Sequence, residues 1–515
     1  MDTTQKVIVV PQEVIGEINP NLHGQFAEHL GELIYAGIYV DPQSSIPNTN
    51  GLRHDVIAAL RPLGIPVLRW PGGCFADTYN WRDGIGARAE RPERVNVWWG
   101  MAAETNHFGT HEFLAFCQAI GAEPYCAGNL GSGNPTELRD WVEYCNFAGS
   151  STLANERRTN GAEEPFGIRW WGIGNENWEC GGHMSPEEYA AAFARYRTYV
   201  FDYPGVPIEA IACGPNGNNW EWTRRFLQYM KNHHTSCRLS QIQGLAAHYY
   251  CGTAGTALDY TETQWLELLS KACAVEGIVT GHRSIMDEYD PQRKIKLILD
   301  EWGTWHPVEP GKPEGGLYQQ NTIRDACVAA LTLNVFHNHA DKLAMANLAQ
   351  LINVLQALLL VQEDRCLKTP TYHVFDLYQP HKGAQAIRLI NTAETISHGE
   401  GAAQVCQDSY LDKQPFRLQA IHGSASMRAG TLCVTVVNNH PTQAVELDLE
   451  VFSGKLAGAE IVTLAADDIH AHNTFEQPER VQLSAARTIE VRGQTLRVSL
   501  SAGSITRIMG KLAEQ

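Results

Sequence analysis

Two short stretches hold the residues best able to do acid/base and nucleophilic chemistry. Gly174-Asn175-Glu176-Asn177-Trp178 follows the apolar run RWWGI, and Leu299-Asp300-Glu301-Trp302 closes the run KLILDEW. A carboxylate set directly after such a run meets the desolvation cost of a buried charge unless it faces a pocket with partners. Glu176 and Glu301 are therefore candidates for the proton-transferring and attacking groups of a two-carboxylate reaction. Such a pair cleaves glycosidic bonds. A separation of about 5 Å gives retention through a covalent glycosyl-enzyme, and roughly 6.5 to 9.5 Å gives inversion.

The elements that must position the pair are legible as eight units of apolar run, polar or Gly-rich loop, and helical segment. The runs are LHGQFAEHLG (22–31), PVLRWPGG (66–73), EPYCAGNLG (123–131), RWWGIGNENW (169–178), IEAIACGPNG (208–217), GLAAHYYCG (244–252), KLILDEWGTW (296–305) and KLAMANLAQ (342–350). Ser185-Pro186-Glu187-Glu188 opens one intervening helix with a capping box and Pro at its first position. Eight units predict an α/β fold, a (β/α)8 TIM barrel, with a doubly wound sheet as the alternative. In the barrel the chemistry gathers where strands end, and strands four and seven lie across its mouth from each other. After residue 385 the pattern turns to period-two alternation, as in Val445, Leu447, Leu449 and Val451, then Leu496, Val498 and Leu500. This predicts a C-terminal β-sandwich, joined by the N-terminal strand KVIVV (6–10). The expected organisation is 1–20 with the sandwich, 21–385 as the barrel and 386–515 as the sandwich.

Composition narrows the partners. The chain has 515 residues with 40 basic and 57 acidic side chains, net −17, and no Lys/Arg cluster able to track a phosphate backbone, which excludes nucleic acid. The most apolar stretch, Leu343 to Val361, is interrupted by Asn347, Gln350, Asn353 and Gln356, so no membrane span is expected. The N-terminus lacks the pattern of a secretory signal, giving a cytoplasmic expectation. Thirteen cysteines without a C-x-x-C pair argue against a disulfide framework and a zinc ribbon. Most are expected to be reduced core or pocket thiols, except that Cys74 and Cys180, both in Gly-rich segments, become neighbours if their loops converge.

The strings LRWPGGCFADTYNW, GNENW followed by CGG, ILDEWGTW and MANLAQLINVLQ resemble glycoside hydrolase family 51, the α-L-arabinofuranosidases, and DIHAHNTFEQPERV (468–481) is similar to that family's C-terminal sandwich. The resemblance implies a retaining, exo-acting hydrolase with Glu176 as general acid/base and Glu301 as nucleophile. It further implies Asn175 on the sugar 2-hydroxyl, a pocket of Glu28, Cys74, Tyr250 and Gln350, His248 in support, and Trp99 and Trp305 as stacking walls. The substrate would be an arabino- or arabinoxylo-oligosaccharide and the assembly a homo-oligomer, trimer or hexamer. Given those roles, Glu301 must stay ionised and Glu176 must keep its proton. Arg69 and Tyr250 are suitable donors to hold Glu301 charged. Once the glycosyl-enzyme forms, the lost charge lets Glu176 release its proton and then activate water. No metal or organic cofactor is implied, because two carboxylates and water suffice.

Other features carry plainer readings. His233-His234 and His337-x-His339 lack the accompanying carboxylates or cysteines of a metal site and are expected to be solvated helix residues. GNLGSGNP (128–135) lacks the Lys-Ser/Thr of a phosphate loop and reads as a sugar-site loop. Of Trp98 and Trp99, one can enter a cleft from a regular strand and the other belongs in the core. His248 taken alone reads as a satisfied structural histidine. Glu179 stands where many members of the resembled family carry Gly; it either points to solvent or raises the pKa of Glu176 through like charge. The charged stretch from Arg82 to Arg94 is expected to wall the leaving-group side. An endo-acting β-1,4-glucanase or xylanase shares the fold and the pair, and a non-catalytic carbohydrate-binding protein is the rival of another class.

Overall fold

The computed structural model describes residues 4–512 apart from 234–237, 253, 399–415, 490 and 492–494. Eight parallel strands close into a barrel: β1 Gly24–Phe26, β2 Val67–Trp70, β3 Glu123–Gly128, β4 Trp170–Ile173, β5 Glu209–Ala212, β6 Gly244–Gly252, β7 Lys296–Trp305 and β8 Leu343–Leu348. Each falls within one of the eight expected runs, and β8 pairs back onto β1 through Asn347–Gly24 and Leu348–Gln25. Seven strands send Val67, Tyr125, Trp170, Ile211, Ala246, Ile298 and Met345 into one buried cluster. That plug fills the barrel with side chains, so the polar residues collect at the opposite, C-terminal ends of the strands.

The second domain is a curled nine-stranded sheet, the C-terminal β-sandwich of the fold. The N-terminal strand Thr4–Glu17 enters it, antiparallel to Gln385–Asn391 and parallel to Val445–Val451. Period-two patterning reads directly as burial here: Val445, Leu447, Leu449 and Val451 alternate with half-buried residues, and they pack with Val7, Val9, Leu496, Val498 and Leu500. Helix Ile323–Asn338 is covered along almost its whole length because the barrel lies on one side and the sheet on the other. This corrects the solvated reading of His337. It is fully buried, its Nε2 lies 3.1 Å from that of His23, and its Nδ1 lies 3.2 Å from Ser424 Oγ. His339, at the helix end, pairs with Glu276 at 3.0 Å; His233 is exposed, and His234 lies outside the described residues. Among the described residues no helix is long and apolar enough to cross a membrane.

Candidate active site

Glu176 stands three residues beyond β4 and Glu301 inside β7, and the barrel brings both side chains onto His248 at its C-terminal mouth. The GNENW turn is shaped by its backbone. Gly174 adopts φ 89°, and a Cβ there would lie 2.0 Å from Asn177 Oδ1, so only glycine fits. Glu176 itself takes φ 41°, a left-handed conformation that costs a non-glycine residue energy and is held by its surroundings. Asp77 does much of the holding: Oδ2 accepts from Asn175 N at 2.8 Å and Asn177 Nδ2 at 3.2 Å, while Oδ1 accepts from the amides of Leu130 and Gly131 at 2.7 and 2.6 Å. One buried carboxylate therefore ties the loops after β3 and β4 together. It occupies the amides of the 128–135 loop that a phosphate would need.

The two glutamates face each other across His248. Its Nδ1 is 2.8 Å from Glu176 Oε1 and 3.6 Å from Glu301 Oε2, and the three residues offer atoms that all lie within 4.8 Å of one another. Their environments differ in sign. Burial raises the Glu176 carboxyl; the charges of Glu301 and Glu179 add to this, and the His248 bond only partly offsets it. For Glu301 burial also pushes upward, but His248, Arg69 and Tyr250 outweigh it and hold the group below the ordinary carboxylate range. Arg69 Nη1 donates to Glu301 Oε1 at 2.7 Å and the Tyr250 hydroxyl to Oε2 at 2.8 Å. Arg69 is itself buried and also meets Asn175 Oδ1 at 2.5 Å and Asp300 at 3.4 Å. Asp300 in turn accepts from Tyr125 and Asn347, so the buried guanidinium rests on satisfied partners. The carboxylates and His248 have the spacing of metal ligands, but with Arg69 bonded to Glu301 a cation would enter against a fixed positive charge.

The remaining expected residues converge on the same pocket. Glu28 is 1% exposed and accepts from Phe75 N at 3.0 Å, Trp99 Nε1 at 2.9 Å and Gln350 Nε2 at 3.0 Å. Burial pushes its pKa to about 7, the three donors opposing and the Glu301 charge adding to the rise. Trp305 stands edge-on to the Tyr250 ring at 5.0 Å. Trp98 corrects the expectation that it would be core: residues 97–101 form a turn rather than a strand, so Trp99 reaches Glu28 while Trp98 stays 39% exposed. The loops behind Trp99 close up backbone to backbone, since a Cβ at Gly315 would lie 2.4 Å from Gly100 N. The Arg82–Arg94 stretch is braced by Arg88 and Arg91 on Glu112 and by Arg94 on Asp83. Glu179 is exposed at the rim.

The loops after β2 and β4 do converge, and Cys74 and Cys180 are bonded as a disulfide. Cys74 and Cys180, set apart from the cysteines expected to be reduced, are thus neighbours, and the sulfur that Cys74 presents is a bonded one. Three positions that brace these side chains escaped the sequence reading. Asp77 and Asp300 were unmarked because their partners come from other strands. Asn96 links Trp99 to the Glu28 loop, donating to His29 O at 2.6 Å and accepting from Trp99 N at 3.2 Å, and no sequence signal distinguishes it.

A TIM barrel carrying such a carboxylate pair at the ends of its fourth and seventh strands is the architecture of a glycoside hydrolase. Residues 59–251 match the α-L-arabinofuranosidase 1 domain and residues 300–504 the α-L-arabinofuranosidase C-terminal domain. An intracellular exo-α-L-arabinofuranosidase of Bacteroides ovatus is 39% identical, the alignment covering 97% of this chain and 93% of the relative. The crystal structure of a GH51 arabinofuranosidase from Xanthomonas axonopodis pv. citri superposes with a TM-score of 0.91 at 38% identity, covering 99% of this chain and all of the other. That of the Thermotoga maritima α-L-arabinofuranosidase in its arabinose complex gives 0.86 at 32%, covering 98% of this chain and all of the other. The chain belongs to glycoside hydrolase family 51, the α-L-arabinofuranosidases.

Proposed function

We propose that the chain is an exo-acting, retaining α-L-arabinofuranosidase that removes terminal non-reducing arabinofuranosyl residues from arabino- and arabinoxylo-oligosaccharides by double displacement. The observation that carries this reading is the pair itself: carboxylate oxygens of Glu176 and Glu301 within 4.8 Å, in surroundings that push the first pKa up and the second down. That spacing supports a nucleophile and an acid/base at the separation of retaining enzymes. Glu301, charged, attacks the anomeric carbon as the bond to the leaving oxygen breaks and Glu176 gives that oxygen its proton. Glu176 then takes a proton from water, which attacks the same carbon and releases Glu301.

The other roles follow from position. Arg69, Tyr250 and His248 keep Glu301 ionised; Asn175, Glu28, Gln350 and the Cys74 sulfur line the sugar pocket; Trp99 and Trp305 wall it. The backbone closure behind Trp99 favours a blind pocket for one terminal sugar over the open cleft of an endo-acting glucanase or xylanase. In the same reading residues 21–385 are the catalytic unit, acting in the cytoplasm on imported oligosaccharides, within a trimer or hexamer. Proton NMR of an aryl α-L-arabinofuranoside digest tests this. Arabinose released first as the α-anomer, with release abolished in Glu301→Ala, supports the reading; the inverted anomer, or turnover confined to β-glucosides and β-xylosides, refutes it.

A further inference from the structure

Cys74 and Cys180 join the two loops that frame Glu176, with Cα atoms 5.5 Å apart. Both are half-buried, whereas most of the other described cysteines are buried. Glu176 divides its oxygens between two neighbours: Oε1 is bonded to His248, and Oε2 faces Cys180 Sγ at 3.7 Å. The two sulfurs and a Glu176 oxygen lie within 4.8 Å of one another, and the Asn175 side-chain amide points at Cys180 Sγ from 4.0 Å. While the sulfurs are bonded to each other they have no thiolate to offer a cation. Exchange with a thiol reductant changes this: two reductant thiols are oxidised to their disulfide, the Cys74–Cys180 bond takes up the two electrons and two protons, and two thiols remain. Metal binding then releases those protons. Freed of each other, two thiolates on Cα atoms 5.5 Å apart beside the Glu176 carboxylate form a ligand set suited to a soft, tetrahedral cation with metal–sulfur bonds of about 2.3 Å.

We propose that reduced Cys74 and Cys180, with Glu176, form a binding site for a thiophilic divalent cation of the zinc class, and that the disulfide keeps this site closed. A cation held there takes the Glu176 oxygen needed for proton transfer, so it silences the enzyme reversibly. That consequence rests on Glu176 being the acid/base; the binding itself does not.

The test uses the full chain in two states, oxidised and reduced by a phosphine that is then removed, titrated with Cd²⁺ as the probe. Thiolate-to-cadmium absorbance and arabinofuranoside hydrolysis are followed together. The reduced protein is expected to bind a single cadmium ion per chain with a two-thiolate band and to lose activity by about a hundredfold, the scale of a lost general acid, with recovery on adding EDTA. The oxidised protein should show neither effect, and reduced Cys180→Ser should show a weakened, one-thiolate band. A band in the reduced protein no larger than in the reduced Cys74→Ser/Cys180→Ser double variant, or equal inhibition in both redox states, overturns the proposal. The full band with activity intact upholds the site but removes Glu176 from the acid/base role.

Discussion

Tyr250→Phe probes how the charged state of Glu301 is secured. The change removes one hydroxyl, which donates to Oε2 at 2.8 Å, and keeps the ring that meets Trp305 edge-on. A hydrogen bond to an ionised group contributes about 1.5–3 kcal/mol, and one pKa unit is about 1.4 kcal/mol. Arg69 and His248 remain in place, so the lower end applies and the apparent pKa of Glu301 should rise by about one unit. Activity requires Glu301 ionised and is lost as pH falls through its apparent value, so the acid limb moves to higher pH. The assay is the pH profile of kcat/KM on an aryl α-L-arabinofuranoside, which reports the free enzyme, with circular dichroism to show that the variant is folded. A folded variant whose acid limb does not move refutes the reasoning. Movement of the alkaline limb alone would mean that the carboxylate beside Tyr250 is the proton donor and that the two roles are exchanged.

Three further outcomes follow. Glu28→Gln should gain stability relative to the parent as pH rises from 5 to 8: with its pKa raised from 4.5 to about 7, native Glu28 keeps until about pH 7 a proton that the unfolded chain has already released, a cost to the parent that builds to about 3 kcal/mol and then levels off, and urea unfolding at both pH values reads the difference. His248→Phe removes the group between the glutamates, so both limbs of the kcat/KM profile should shift upward, with a loss of about tenfold or more at the optimum; unchanged limbs would make the histidine a packing residue only. Asp77→Asn turns an acceptor of four hydrogen bonds into a side chain that presents donors to donors, and thermal unfolding should register a loss of about 1–3 kcal/mol, accompanied by lower kcat as the Glu176 turn loosens.

The barrel was legible because each strand is a short apolar run and each loop a polar or glycine-rich break, a pattern that repeats with the unit. The glutamates were legible for a related reason: a carboxylate directly after such a run has to have a destination. Contacts between units left no such trace. Nothing near His248 in sequence says that its ring lies between two carboxylates supplied by β4 and β7. The buried state of His337 depends on a sheet strand whose Ser424 meets its ring from 87 residues further along the chain, and nothing in the helix's own sequence announces that cover. Trp98 was misplaced because the WW pair was read as strand when it lies in a turn. The Cys74–Cys180 pair sat between these cases: the sequence could place both residues in loops at the same barrel end, but only the fold brings those loops together.

Covalent trapping on Glu301 tests the central claim most directly. Glu176→Ala, mixed with an arabinofuranoside whose aryl leaving group departs without acid assistance, should complete the first displacement and stall before the second, because no base activates water. Intact-mass spectrometry of the quenched protein is expected to show one added pentosyl unit, and peptide mapping to place it on Glu301. A protein that turns over without any such adduct, or an adduct on another residue, would contradict the account.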